Sequence, residues 1–177
     1  MSGLCNPRNR PGDERGEEVR GGVAPRVTVL CVGNLLLRDE GVGIHVAREL
    51  LKMDLPPNVR VVDGGTEGFG LLDFIWESDR LIVVDAVRGG QEPGTLYRFR
   101  PEDVKEGRQL RLSFHDLSLL DVLKISEFAD RRPETVILGV EPARLDMGME
   151  LSPEVARKLP RLIQMVLEEI HREPEGG

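Results

Sequence analysis

Residues 80–85, with the sequence RLIVVD, decide the fold of this chain. The four positions from Leu81 to Val84 are all aliphatic, and such an unbroken apolar run is typical of a strand that is covered on both faces. Strands of this kind occur in sheets that carry helices on each side. The segment therefore predicts a mostly parallel sheet inside an α/β fold.

Apolar spacing and turn residues place further elements around this segment. The predicted strands are Val27–Val32, Val59–Asp63, Arg80–Asp85, Thr95–Phe99 and Thr135–Val140. The predicted helices are Gly41–Met53, Phe69–Trp76, Asp116–Ala129 and Pro153–Ile170. Their order along the chain predicts a three-layer α/β/α sandwich around a twisted, mostly parallel five-stranded sheet.

Two local features refine this prediction. Thr95–Phe99 follows the preceding strand without a crossover helix, so we expect it to run antiparallel at an edge of the sheet. In the last helix, Ser152 is placed as the N-cap and Pro153 as the first helical residue. Pro160 lies inside the apolar pattern of that helix and should kink or split it.

The composition excludes several classes of protein. The 24 basic and 31 acidic side chains give a net charge of −7, which argues against a nucleic-acid partner. The longest uncharged apolar run, Val27–Leu37, is too short to cross a membrane. The two cysteines exclude a disulfide framework and a thiolate zinc site, and Cys31 is predicted to be a small buried hydrophobic residue. We therefore expect a soluble, cytoplasmic protein.

The ends of the chain differ in composition from its centre. Residues 1–25 are rich in glycine, proline and charge, and they show no apolar periodicity. We interpret residues 1–25 as a disordered N-terminal extension, residues 26–171 as a single α/β domain, and residues 172–177 as a disordered tail. The sequence leaves the oligomeric state open.

Acidic residues and one histidine follow the predicted strands at their carboxyl ends, which is where open α/β sheets bind ligands. Asp39 and Glu40 follow the first strand, Asp63 and Asp85 end the second and third, and His115 precedes the helix after the fourth. Carboxylates and an imidazole together suit nickel, zinc, iron or manganese. A site with three protein ligands also leaves a position open for water or substrate.

Each of these residues also has a structural interpretation. Glu40 could favour the positive end of the following helix, and Asp39 could be the N-cap of that helix. Asp63 precedes two glycines, as in a turn, and Asp85 could also cap a turn. His115 could be a structural histidine at a helix start. The two other histidines, at positions 45 and 171, are predicted to lie on the solvated surface.

Other catalytic and binding templates are missing from the sequence. There is no GxSxG elbow, no HExxH helix and no phosphate-binding loop, and the glycines near residue 33 have the wrong spacing for a dinucleotide fingerprint. A flavodoxin-like nucleotide-binding module stays possible from the fold class alone.

Several motifs resemble those of the nickel–iron hydrogenase maturation endopeptidases. The longest is GNLLLRDEGVG at residues 33–43. Shorter ones are DGGT at 63–66, VVDA at 83–86, SFHD at 113–116, GVEP at 139–142 and LSPEV at 151–155. The resemblance extends from Val27 to Ile170. Glu141 departs from it, since many relatives carry an amide at this position.

The resemblance implies an endopeptidase, described for the family as aspartic-type, that removes a C-terminal extension from the hydrogenase large-subunit precursor after nickel has been loaded. It implies Glu40, Asp85 and His115 as metal ligands and Asp63 as the catalytic aspartate. Gly64, Gly65 and Thr66 would then bind the substrate. Nickel would arrive with the precursor, although other divalent ions could occupy the site in isolation. A chaperone that senses nickel and holds the same precursor without cutting it is the alternative.

Overall fold

A computed structural model describes residues 24–66, 69–104, 111–112 and 132–173. Four predictions lie wholly or mostly outside the described residues: the helix Asp116–Ala129, the ligand His115, the N-terminal extension, and the tail of residues 172–177. The division into an extension, one domain and a tail therefore stays a prediction.

Six strands form one sheet in the described part of the chain. They are β1 (Val27–Val32), β2 (Val59–Gly65), β3 (Arg80–Arg88), β4 (Leu96–Phe99), β5 (Arg111–Leu112) and β6 (Glu134–Val140). The order across the sheet is β2-β1-β3-β6-β4, and the short β5 pairs with the end of β3. The pairs β1–β2, β1–β3 and β3–β6 are parallel, as the apolar runs predict.

The edge strand β4 runs antiparallel to β6, with Leu96 opposite Val140 and Phe99 opposite Ile137. This confirms the prediction made from the missing crossover helix. Strands β2 and β3 are longer than predicted, because β2 continues to Gly65 and β3 continues to Arg88. Beyond Asp85, β3 is extended by its pairing with β6 and by its antiparallel pairing with β5.

The described helices are α1 (Val42–Leu50), α2 (Leu72–Trp76), α3 (Pro153–Ala156) and α4 (Leu159–His171), with 3-10 turns at Arg38–Gly41, Phe69–Leu71 and Pro101–Val104. The last predicted helix is split at residues 157 and 158, just before Pro160, as expected from the missing backbone donor of proline. Ser152 is the N-cap of α3, since its hydroxyl accepts from the Val155 N–H at 3.4 Å, and this confirms its predicted role.

Two apolar cores lie on opposite faces of the sheet. Helices α1, α3 and α4 cover one face, where Cys31 is fully buried as predicted. Helix α2 and the 3-10 turn before it cover the other face, through Ile75 of the helix and Leu71 of the turn. The arrangement is the predicted α/β/α sandwich. In the described residues, no helix is long and apolar enough to cross a membrane.

Helix α1 begins directly over the carboxyl ends of β1 and β3. A Cβ atom at Gly43 would lie 2.2 Å from the Val32 carbonyl oxygen and 2.7 Å from that of Val84. Only glycine allows this approach, because no real Cβ contact is so short. The contact brings the turn that precedes α1 next to β3, and that turn carries Glu40.

Candidate active site

The loop between β1 and α1 closes on itself and presents Glu40. Gly33 has a positive φ of 141°, and a Cβ there would lie 2.0 Å from the Glu40 carbonyl oxygen. The Asn34 N–H donates to that same oxygen at 3.2 Å. The loop therefore returns to the end of β1, where it holds Glu40 in a buried position on the carboxyl edge of the sheet.

Asp85 lies on β3, the central strand of the sheet, and it is fully buried. Its Oδ1 accepts from the Ala86 N–H at 2.7 Å. Its neighbour on β6 is Gly139, where a Cβ would lie 2.8 Å from the Asp85 carbonyl oxygen and 2.3 Å from the Val87 side chain. The glycine gives β3 and β6 room to continue side by side past Asp85.

Asp63 lies on β2, at an edge of the sheet, and is exposed. Its Oδ1 accepts from the Gly65 N–H at 3.1 Å, so the turn-forming interpretation holds for this residue. Gly65 has a positive φ of 48°, and a Cβ added there would meet no other atom within 4 Å. Gly64 differs, because a Cβ there would meet the side chains of Leu71 and Leu30 at 3.1 and 3.2 Å.

Strand alternation sends the side chains of Asp63 and Asp85 to opposite faces of the sheet. Asp63 is the register partner of Cys31, which belongs to the core under α1 and α4. Asp85 lies on the same face of β3 as Val83 and Val87, which belong to the core under α2. The two carboxylates therefore share the carboxyl edge of the sheet but leave it in different directions. Burial, and then the charge of Asp63, raise the pKa of the Cys31 thiol.

Asp39 has a structural role that the sequence did not predict. Its buried carboxylate accepts hydrogen bonds from the Ala143 and Arg144 N–H groups, each at 2.8 Å. The Ser152 N–H and hydroxyl also donate to it, at 2.7 and 2.8 Å. It is not the N-cap of α1, since Gly41 occupies that position with no side-chain cap. The residues bound by Asp39 are more than one hundred positions away in sequence, so no local pattern could reveal the contact.

Another buried carboxylate, Glu141, organises the loop that follows β3. The Tyr97 hydroxyl donates to its Oε2, and so do the N–H groups of Gly89, at 2.8 Å, and Gln91, at 3.3 Å. Glu141 directly follows β6, whose end pairs with β3 beside Asp85. The carboxylate is therefore a fixed part of the same edge of the sheet.

Tyr97 makes this cluster measurable, because it is the only tyrosine in the chain. Burial, followed by the hydrogen bond and charge of Glu141, raises the pKa of Tyr97 to about 12. We expect a near-ultraviolet absorbance titration to show ionisation of the phenol near pH 12 in the folded protein. The variant Glu141→Gln should move the midpoint down towards the ordinary value of about 10, since the negative charge is lost.

The same shift makes stability depend on pH. The pKa of Tyr97 is higher in the folded state than in the unfolded state, so its stabilising contribution is complete below about pH 10 and is lost as the pH rises towards 12. If the absorbance titration of Glu141→Gln had the same midpoint as that of the wild-type protein, the Glu141 carboxylate would not be the cause of the raised pKa of Tyr97.

The described residues provide two of the three predicted metal ligands. Within residues 24–66, 69–104, 111–112 and 132–173, no group of three or more His, Cys, Asp or Glu side chains could hold a metal ion. Glu40 and Asp85 supply two buried carboxylates on neighbouring elements, and the third predicted ligand, His115, lies outside this part of the chain. Buried oxygen donors fit a divalent cation.

The hydrogen-bond partners of the two described histidines are backbone carbonyl oxygens and not these carboxylates. His45 is half-buried rather than fully solvated, and its Nε2 lies 3.3 Å from the Met149 carbonyl oxygen. His171 is exposed at the end of α4, where Nδ1 lies 2.8 Å from the Leu167 carbonyl oxygen. The predicted surface position is correct for His171 and wrong in part for His45.

Several proteins of known sequence are similar to this chain over most of its length. A family model described as hydrogenase maturation protease matches residues 44–169. The hydrogenase 2 maturation protease of Escherichia coli strain K12 is 36% identical over 145 residues, which are 80% of this chain and 88% of that protein. The hydrogenase expression/formation protein HupD of Rhizobium leguminosarum bv. viciae is 37% identical over 145 residues, 80% of this chain and 72% of the relative.

Solved structures agree with these sequence relatives. The hydrogenase maturating endopeptidase HybD from Escherichia coli has a TM-score of 0.74 and 34% identity, and the match covers 82% of this chain and 91% of that one. The [NiFe] hydrogenase maturation protease HybD from Thermococcus kodakarensis has a TM-score of 0.69 and 27% identity, and the match covers 82% and 99% of the two chains. Because the family model matches residues 44–169 and the Escherichia coli relative is 36% identical over 80% of this chain, the chain belongs to the hydrogenase maturation protease family, whose members are endopeptidases.

Proposed function

We propose that the chain removes the C-terminal extension from a nickel-loaded precursor of the nickel–iron hydrogenase large subunit. The observation that carries the proposal is that Glu40 and Asp85 are both buried at the carboxyl edge of the sheet. The turn that carries Glu40 contacts β3, the strand that carries Asp85. Membership of the maturation protease family supplies the reaction class, which is hydrolysis of a peptide bond. The same membership favours a peptidase over a nucleotide-binding module.

Glu40, Asp85 and His115 are the proposed ligands of the nickel ion, which belongs to the substrate. Two carboxylates and one imidazole are donors that nickel accepts, and three protein ligands leave room for groups of the precursor. An ion shared between enzyme and precursor adds binding energy only when the precursor has been loaded. The peptidase would then act as a checkpoint, since a precursor without nickel binds poorly and is not cut.

Asp63 is the proposed catalytic residue, and we assign it to the activation of the attacking water. Its exposure and its direction, opposite to that of Asp85, support a role separate from metal binding. The aspartic-type description of the family fits a carboxylate in this role. In this proposal a single aspartate acts beside an ion that belongs to the substrate. The mechanism therefore differs from that of pepsin-like proteases, in which two aspartates share a proton.

Gly64, Gly65 and Thr66 are the proposed substrate-binding residues. The open space around Gly65 supports close approach of a peptide backbone there, because no Cβ obstructs it. Gly64 instead faces core side chains, so its contribution is to let β2 pack tightly beside Leu71. Exposed Thr66 follows on the same turn. We place the reaction in the cytoplasm, with the large-subunit precursor as the protein partner.

Mass spectrometry of a nickel-loaded precursor incubated with the protein tests this function. We expect the precursor to lose a single C-terminal peptide, and we expect the same precursor without nickel to stay intact. A stable, uncut complex with the loaded precursor would favour the chaperone alternative. Cleavage that is equally fast without nickel would contradict the role of the ion in recognition.

A further inference from the structure

Three exposed apolar side chains lie together on the loops beside the candidate site. Leu36 is 58% exposed, Met147 81% and Met149 54%. We call these three residues the rim patch. Single exposed apolar residues are common on protein surfaces, but a cluster of them next to a functional site usually marks an interaction surface.

Backbone contacts hold the rim patch together. Leu37 and Gly148 form a parallel bridge, in which the Gly148 N–H donates to the Leu36 carbonyl at 2.9 Å and the Arg38 N–H donates to the Gly148 carbonyl at 2.7 Å. Met147 and Met149 flank Gly148, so the bridge brings both methionines next to Leu36.

The loop that carries the methionines is anchored on both sides of them. Asp39 accepts hydrogen bonds from Ala143, Arg144 and Ser152, which lie before and after the methionines in sequence. The Met149 carbonyl lies 3.3 Å from His45 Nε2 on α1. A loop with this many buried contacts is preorganised, and its exposed side chains can bind a partner without a large loss of backbone entropy.

The charged side chains next to the rim patch are paired with one another. The Asp146 carboxylate accepts from Arg38 Nε at 3.1 Å and from Arg144 Nη2 at 2.9 Å. The hydrogen bond from Arg144 lowers the pKa of Asp146 below its usual range, so the pairing persists to more acidic pH than for an isolated aspartate. Because these charged groups already have ionic partners, we expect apolar contact to contribute most to recognition at this surface, and methionine is well suited to an irregular apolar partner.

We infer that the rim patch is a docking surface for an apolar segment of the hydrogenase large-subunit precursor. The occupant follows from continuity with the candidate site, because Leu36 and Arg38 belong to the loop that carries Glu40, and Asp39 binds the loop that carries Met147. A precursor that presents its metal to Glu40 would bring its surface close to the loop that carries Leu36. The inference rests on the proposed function for the identity of the partner.

The test uses the full-length double variant Met147→Glu and Met149→Glu, with Met53→Glu as the matched control. Met53 is also exposed, at 42%, but it follows the opposite end of α1. With nickel-loaded precursor as the probe, we expect the double variant to raise KM by roughly tenfold and to change kcat by less than about twofold, because lost docking contacts weaken ground state and transition state alike. The KM of the control should equal that of the wild-type protein.

Direct binding of the same precursor separates this inference from the proposed function. If the wild-type protein binds the precursor but does not cut it, the proposed function is wrong, and a weaker Kd in the double variant still supports docking at the rim patch. If the wild-type protein cuts and the double variant has an unchanged KM and Kd, only the docking inference is wrong. A dimer that the double variant converts to a monomer at unchanged KM would assign the patch to a second copy of this chain and overturn the inference.

Discussion

Replacement of His115 by alanine is expected to abolish the processing of a nickel-loaded precursor while the fold stays intact. The imidazole is the proposed nitrogen ligand, and its loss leaves Glu40 and Asp85 to position the ion alone. Because small errors in the position of reacting groups are costly, we expect the cleavage rate to fall by at least about 100-fold. Single-turnover cleavage followed by mass spectrometry measures the effect, and circular dichroism checks the fold.

The variant Asp63→Asn should separate cleavage from metal recognition. We expect it to cut roughly 10²–10⁴-fold more slowly, which is the usual contribution of a general base. Its nickel-dependent binding of the precursor should be unchanged, because Asp63 leaves the sheet on the face opposite to Asp85. Asp54→Asn is the matched control, since Asp54 is an exposed carboxylate just beyond the carboxyl end of α1, away from the site.

These two variants test the ligand assignment from different sides. Normal cleavage by His115→Ala would exclude the histidine as a ligand. Loss of nickel-dependent binding in Asp63→Asn would show that this aspartate belongs to the metal site, which contradicts the division of roles proposed above.

Replacement of Asp39 by alanine is expected to cause the largest loss of stability. Four donors bind this buried carboxylate, namely the Ala143, Arg144 and Ser152 N–H groups and the Ser152 hydroxyl. Loss of these four hydrogen bonds should lower the free energy of unfolding by about 3–5 kcal/mol, since the donors stay buried but no longer have an acceptor. For a domain of this size, the melting temperature should fall by roughly 10 °C or more.

Ser152→Ala is the comparison variant for this prediction. It removes one of the four donors and the N-cap of α3, so we expect a loss of about 1–2 kcal/mol. Differential scanning calorimetry measures both variants. A melting temperature for Asp39→Ala within about 2 °C of the wild-type value would show that the loop of residues 143–152 is held by other contacts.

Five of the six strands could be predicted because each carries its own pattern, whereas the two-residue β5 was not predicted because it is defined only by its pairing with β3. Val27–Val32 was predicted with its observed bounds, and the antiparallel edge followed from the missing crossover helix. The ends of β2 and β3 were not predicted, because Gly65 and Arg88 stay in their strands through pairing with other segments. Pairing of this kind depends on distant residues, so a local pattern does not contain it.

The candidate site was also predictable only in part. Glu40, Asp63 and Asp85 were found from their positions after apolar runs, because parallel strands place their carboxyl ends on one edge. The opposite directions of Asp63 and Asp85 needed the register of the sheet. The role of Asp39 needed the contact with residues 143–152, and the rim patch needed the bridge between Leu37 and Gly148.

The sequence by itself determined the α/β class, the strand order along the chain and the acidic residues at the strand ends, because periodicity and turn chemistry are local properties. Tertiary structure alone decided which carboxylates are buried and which loop Asp39 holds in place. Burial and hydrogen bonding between distant segments arise only in the folded chain, and the local sequence around one residue does not reveal which distant residue will contact it.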